Sequence, residues 1–245
     1  MGKKYFTVSF DDGLEQDKKL ISLMNQYGIK GTFNLNSGCM GRQQWMLFAG
    51  NIGFSTVTDT KSLVARLFPH VPQNTIPADE IKQVYQGHEV ATHSVNHVDL
   101  TKLDDLSLQQ ELENDKRRLS ELVGYEVCGH AYPFGSFNDK VISGLTKAGI
   151  TYARTVKSTR SFRFPENKFV LNPTCWCIDK NLFQLLDEFI DADPQEDMLF
   201  YLWGHGYELD FNTKNSSWTR IETVFEKIAK QDDIVFCTNR EALSR

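Results

Sequence analysis

Asp11 and Asp12 stand together at the end of a short apolar run, Tyr5-Phe6-Thr7-Val8-Ser9-Phe10, and His93 and His97 follow another such run further along the chain. Two adjacent carboxylates at the C-terminal end of a strand can divide their work, one ligating a metal ion and the other moving protons. Histidines four apart offer both imidazoles to one ion if the segment turns helically, because i and i+4 share a face. An Asp-His-His set leaves coordination positions open for water and substrate, the composition of a catalytic rather than a structural metal site. Each element alone has a plainer use. Asp-Asp-Gly suits an ordinary turn, and either histidine could sit in a core. Both pairs follow strand-like runs, with further strand-end signals downstream, and that favours the metal site.

These residues need a scaffold, and the chain alternates strand-like and helix-like segments throughout. After the first strand, residues 15–27 carry Leu20, Ile21, Leu23, Met24 and Tyr27 at helical spacing before Gly28. Residues 31–35 read as a second strand, 79–86 as a short helix capped by Asp79, 88–93 as a third strand, and 106–123 as a long helix stopped by Gly124. The alternation continues with strands at 126–131, 151–154, 169–171, 198–203 and 233–237. Helices fall at 139–148, 181–190 and 217–230. Such alternation implies parallel pairing with right-handed crossovers. Seven or eight units favour a closed (β/α) barrel of α/β class over an open sheet. We read residues 1–245 as a single barrel domain with an irregular excursion at about 38–78 that has glycines, prolines and no clear period.

Composition sets bounds. The 245 residues are 40% hydrophobic and 24% charged, ordinary for a soluble globular protein. A net charge of −5 argues against a nucleic-acid partner. Lys116-Arg117-Arg118 sits beside Glu111, Glu113 and Asp115 and reads as a solvated helical face. Five scattered cysteines lack zinc-finger or redox spacing and read as buried free thiols in a reducing compartment. The N-terminus shows no apolar leader and the chain no long hydrophobic span, so no membrane partner and a cytoplasmic location are expected.

In a barrel, chemistry gathers at the C-terminal ends of the strands. Taken in order, those ends are Asp11-Asp12, His93 with His97, Tyr132-Pro133-Phe134-Gly135, Cys175-Trp176 and Gly204-His205. With these motifs in this order, the chain resembles the polysaccharide deacetylase family, metal-dependent carbohydrate deacetylases of the carbohydrate esterase 4 type with a distorted (β/α) barrel. Ser9-Phe10-Asp11-Asp12-Gly13 is similar to that family's Thr-Phe-Asp-Asp-Gly. His93-Ser94-Val95-Asn96-His97 matches its His-Ser/Thr-x-x-His, Tyr132-Pro133-Phe134-Gly135 is similar to the core of its Arg-x-Pro-Tyr-Gly, and Trp203-Gly204-His205 stands at its Leu-x-His.

The resemblance implies roles. Asp11 is then the general base, and Asp12, His93 and His97 hold one divalent ion, Zn²⁺ first, with Co²⁺, Ni²⁺ or Fe²⁺ also compatible. His205 is the general acid, and the Phe134 backbone N–H serves the oxyanion. The expected substrate is an acetylated sugar or oligosaccharide, with Tyr132, Pro133 and Trp176 as candidate binding residues. Trp45, Tyr132 and Trp176 could stack on a sugar face, although core packing is the commoner fate of such aromatics. Two departures stand out. Ala131 occupies the place of the family's Arg, and Asn172-Pro173-Thr174-Cys175-Trp176 replaces the later motif whose Asp holds that Arg. A variant subgroup with different support for the base is expected. Glu208 reads as an exposed loop carboxylate, and His70, His88 and His130 as structural or surface histidines. Competing functions are O-acetyl ester hydrolysis, amidase action on cyclic imides or ureides, and a carbohydrate-binding protein without turnover.

Overall fold

A computed structural model describes residues 2–48, 54–57 and 67–244. The chain begins with strand β1 (Lys4–Asp11), helix α1 (Gln16–Gln26) and β2 (Gly31–Leu35). Three short strands follow, β3 (Trp45–Phe48), β4 (Phe54–Val57) and β5 (His70–Pro72). Next come α2 (Ile81–Val84), β6 (Glu89–Thr92), α3 (Asp105–Val123), β7 (Gly129–Ala131), α4 (Asp139–Lys147) and β8 (Tyr152–Arg154). The last part holds β9 (Cys175–Trp176), α5 (Leu182–Ile190), β10 (Met198–His205), α6 (Trp218–Ala229), β11 (Ile234–Phe236) and α7 (Asn239–Leu243).

Eight strands form one parallel sheet in the order β8-β7-β6-β2-β1-β10-β9. β11 lies beside the first half of β1, and β2 takes the second half of the same edge. This is the expected barrel-like architecture, with its seam between β8 and β9. One segment bridges much of that seam. Leu171 N–H donates to Ala153 O on β8 at 3.0 Å, and Thr174 N–H donates to Tyr201 O on β10 at 2.8 Å. The strand expected at 169–171 is thus a single bridge at Leu171. The antiparallel sheet β4-β3-β5 gives the described part of the excursion more order than its pattern suggested. Residues 49–53 and 58–66 of that excursion lie outside the described residues.

Strand alternation sorts side chains between two environments. Phe6, Val8 and Phe10 of β1 face outward into the main core with Leu20 and Met24 of α1, Phe189 of α5 and Phe225 of α6. Each such burial contributes roughly 1.5–3 kcal/mol, so the helical layer carries most of the stabilisation. The other set of β1, Thr7, Ser9 and Asp11, is buried inside the barrel and satisfied there by hydrogen bonds. Thr7 donates to Asn239 at 3.0 Å, Asn239 to Tyr201 at 2.6 Å, and Asn34 to Ser9 at 2.8 Å. A polar interior opening at the strands' C-terminal ends is what a charged site requires.

Two local readings change. The short helix spans only Ile81–Val84 and begins at Glu80, without the Asp79 side-chain cap. His93 and His97 do not share a helical turn. They lie in an irregular loop where Ser94 has φ 63° and His97 φ 53°. The described cysteines are all free, four of them buried. No helix among the described residues is long and apolar enough to cross a membrane.

Candidate active site

Asp11 and His205 end β1 and β10 and are register partners in the parallel pair, while Asn34 of β2 is the partner of Asp11 on its other side. All three side chains point into the barrel by the same alternation that sends Phe10 outward. Asn34 Nδ2 donates to Asp11 Oδ1 at 2.8 Å. Asp12, one residue on, has φ 78° and turns its carboxylate toward the histidine loop.

Asp12 Oδ1 lies 3.8 Å from His93 Nε2 and 3.6 Å from His97 Nε2. The three donors cluster within 4.8 Å of one another, the only such group among the described residues. Ligand bonds of about 2.0–2.2 Å in a tetrahedron put donors about 3.4 Å apart, so the set fits a divalent ion with slight contraction. The histidine orientation agrees. His93 Nδ1 donates to Ala131 O at 2.7 Å, which fixes the tautomer and leaves Nε2 free for a ligand. Burial drives the His93 pKa down to about 4, so the ring is neutral, the form that can bind a metal.

The loop is held from α3. The buried carboxylate of Asp115 accepts from His93 N–H at 3.0 Å and Ser37 N–H at 2.8 Å. Glu111 accepts from Asn96 N–H at 2.9 Å. Two of the acids assigned to a solvated face therefore brace the ligand loop. Six described non-glycine residues have positive φ, and four of them, Asp12, Ser94, His97 and Phe134, surround this site. Each costs on the order of 1 kcal/mol or more, a strain retained where geometry matters.

An Arg partner for Asp11, not available at Ala131, comes from one strand further round the sheet. Arg154, fully buried at the end of β8, donates from Nη2 to both oxygens of Asp11, at 2.6 Å to Oδ1 and in a shorter contact to Oδ2. Its guanidinium also lies over the Trp203 ring at 4.8 Å. Burial alone would raise the Asp11 pKa, but the charges of Arg154, His93 and His205 outweigh it and bring it to about 2.

Glu208 is likewise not an exposed loop residue. It is fully buried, and its Oε1 is 2.8 Å from His205 Nδ1. Its Oε2 accepts from Trp176 Nε1 at 2.8 Å and from His205 N–H at 3.2 Å. Burial would lower the His205 pKa, yet the Glu208 carboxylate, with Asp12 and Asp11 behind it, raises it to about 9. Gly204 makes this packing fit, since a Cβ there would overlap Cys177 Sγ and come within 3.1 Å of Glu208 Oε2.

Two of the three expected binding residues, Tyr132 and Pro133, are buried. The Tyr132 ring is buried in the second core cluster, stacked on Phe137 at 4.9 Å, and its hydroxyl donates to Phe169 O at 3.0 Å. Tyr132 borders the cavity, with its ring packed in the core and fully buried. Pro133 is buried and sets the turn that brings Phe134 out at φ 58°, 64% exposed, with its ring 4.6 Å from that of His97. Trp176 is half-buried and stacks on Trp203 at 5.6 Å. A cavity of about 780 Å³ joins Asp11, Asp12, His93, His97, His205, Phe134 and Trp176 to a polar wall of Arg42, Gln44 and Gln73 from the excursion. His88, bonded to Asn25, and His130, bonded to Thr92, are structural. His70 packs edge-on to Trp45.

The fold and site together place the chain in a known class. A family model described as polysaccharide deacetylase matches residues 1–153, and the chain belongs to that family. A chitin deacetylase of Pestalotiopsis sp is 24% identical over 145 residues, 59% of this chain and 39% of its own length. The chain thus spans well under half of that relative. A presumed polysaccharide deacetylase from Mycobacterium smegmatis has a TM-score of 0.65 at 14% identity, covering 100% of this chain and 90% of that one. A CE4 family pseudoenzyme from Bacillus anthracis has a TM-score of 0.58 at 16% identity, covering 98% and 66%. At these identities the two structures share the fold.

Proposed function

We propose that the protein is a metal-dependent hydrolase that removes the acetyl group from an N-acetylated sugar. The observation that carries this reading is the convergence, on one cavity, of an Asp-His-His ligand set, a fixed carboxylate and a histidine whose pKa Glu208 raises to about 9. A divalent ion held by Asp12, His93 and His97 would acidify a water and polarise the acetamide carbonyl.

The chain's own residues then handle protons and position. Asp11 Oδ2 lies 3.9 Å from His93 Nε2, close enough to the ligand set to take the water's proton. Arg154 and Asn34 hold that carboxylate ionised and oriented. The Phe134 N–H, aimed by the Pro133 turn, serves the developing oxyanion, a contribution of about 3–4 kcal/mol in comparable holes. An amine departs only once protonated, and His205 Nε2 carries the proton for it. Because the pKa of Asp11 is depressed, the proton it takes is held weakly. Asp11 gives that proton up and His205 regains one by exchange with solvent in the cavity, restoring both groups.

The cavity volume falls within the range of about 300–1,000 Å³ typical of small-molecule sites, which supports a short acetylated saccharide. Trp176 and Phe134 offer apolar faces to a sugar ring. The intact support from Arg154 and Glu208 favours turnover over a binding protein without catalysis. Acetate release from N-acetylated and O-acetylated substrates, with ring opening of cyclic imides followed by absorbance, tests the reading. Release from the N-acetyl sugars with dependence on added metal is expected, and turnover of the imides alone would overturn it.

A further inference from the structure

Asp12 has two oxygens, and they face different surroundings. Oδ1 faces His93 and His97, while Oδ2 is 3.4 Å from the side-chain nitrogen of Gln73, just after β5. Gln73 is 5% exposed, and its orientation is set by its other end. Its Oε1 accepts from Gln44 Nε2 at 3.0 Å and from Thr56 Oγ1 at 3.3 Å. Two donors on the oxygen leave the amide NH₂ pointing at Asp12. The backbone agrees, since Gln73 N–H donates to Gln44 O at 2.9 Å. All three side chains belong to the excursion between β2 and α2, a region to which the mechanism assigns nothing.

We propose that Gln73 is a positioning residue for Asp12. By engaging Oδ2, its amide holds the carboxylate so that Oδ1 alone is presented to the ion, and the excursion sheet thereby sets metal affinity. The role rests on the metal-site reading above. Groups that orient ligands in this way typically contribute about 10–100-fold to affinity.

The test uses Gln73→Met, which keeps the volume and removes the N–H donor. Zinc affinity is measured by chelator competition, stoichiometry by elemental analysis, and ligand geometry by visible absorption of the Co²⁺-substituted protein. One ion per chain is expected at saturation, with Kd weakened about 10–100-fold and an altered cobalt spectrum as Asp12 becomes free to bind through both oxygens. Gln44→Leu, which loosens Gln73 and leaves its N–H in place, should weaken Kd only a few-fold, and it keeps the test open if Gln73→Met fails to fold. Wild-type Kd and cobalt spectrum in either folded variant overturn this role alone. Absence of bound metal from the wild type overturns the metal site and this role together.

Discussion

Asp11 and His205 occupy matched positions at the ends of two adjacent parallel strands, and their side chains approach to 3.9 Å between Oδ2 and Nε2. The register that pairs β1 with β10 therefore sets the distance between the proposed base and the proposed acid. His205 is held protonated by Glu208, so its proton should matter only when the leaving group needs one. His205→Ala should cripple acetamide hydrolysis and spare an activated aryl acetate, whose phenolate leaves unassisted. Equal losses on the two substrates would assign His205 to holding the site together instead.

Glu208→Gln tests the same group through pH. The carboxylate raises the His205 pKa to about 9, so activity that needs the protonated ring should fall as pH rises through that value. Removing the charge while keeping the side chain's shape should move the alkaline limb of kcat to lower pH. A limb that stays in place would show that another group titrates there.

Arg154 and Asp11 form a buried ion pair, and breaking one side leaves the other charge uncompensated. Arg154→Met should destabilise the fold by roughly 3–5 kcal/mol in urea unfolding. Arg154→Lys keeps the charge but loses the planar guanidinium geometry, and should retain more stability than activity. It should also raise the acid limb of kcat/KM, because Asp11 loses part of what holds it near 2. An unchanged acid limb would mean that Asp11 does not titrate in that profile.

Why Arg154 escaped the sequence follows from where the information lies. The grouping of Asp12, His93 and His97 was legible because they belong to short contiguous motifs, and the barrel was legible because alternation is a local signal. Arg154 acts on Asp11 across 143 residues, through the curvature of the sheet. It falls one residue beyond the segment matched by the family model. Its only local signal is a charged residue ending a strand otherwise apolar, Tyr152-Ala153-Arg154. Glu208 and Asp115 were misread for a related reason. Spacing on a helix or loop does not tell a solvated carboxylate from one buried against a backbone N–H. Tyr132 misled in the opposite direction, since an aromatic beside a catalytic turn packs as readily inward as outward.

Separating the two neighbouring carboxylates is the direct test of the ligand assignment. Asp12→Ala should lose the ion in elemental analysis after zinc reconstitution. Asp11→Asn should retain it and lose about 10²–10⁴-fold in turnover. Loss of metal from Asp11→Asn, or its retention by Asp12→Ala, would reverse the roles.

Asp17 supplies a prediction about stability rather than rate. It is fully buried near the start of α1, accepting from Tyr85 OH at 2.8 Å and Leu14 N–H at 3.1 Å. Burial pushes its pKa up from 3.8 to about 8, against the effect of those two hydrogen bonds. Between these values the folded chain keeps a proton that the unfolded chain has released. Stability contributed by the protonated group is therefore greatest at low pH and declines as pH rises toward 8, by about 1.4 kcal/mol per pH unit for one proton. Asp115, raised to about 7 by burial, adds to the same slope at lower pH. Asp17→Asn keeps an amide oxygen for both donors and cannot ionise. Urea unfolding of metal-free protein at pH 5 and at pH 7.5 should therefore show a smaller loss of stability in Asp17→Asn than in wild type. Parallel losses in the two proteins would mean that Asp17 is ionised in the native state and that the slope comes from other groups.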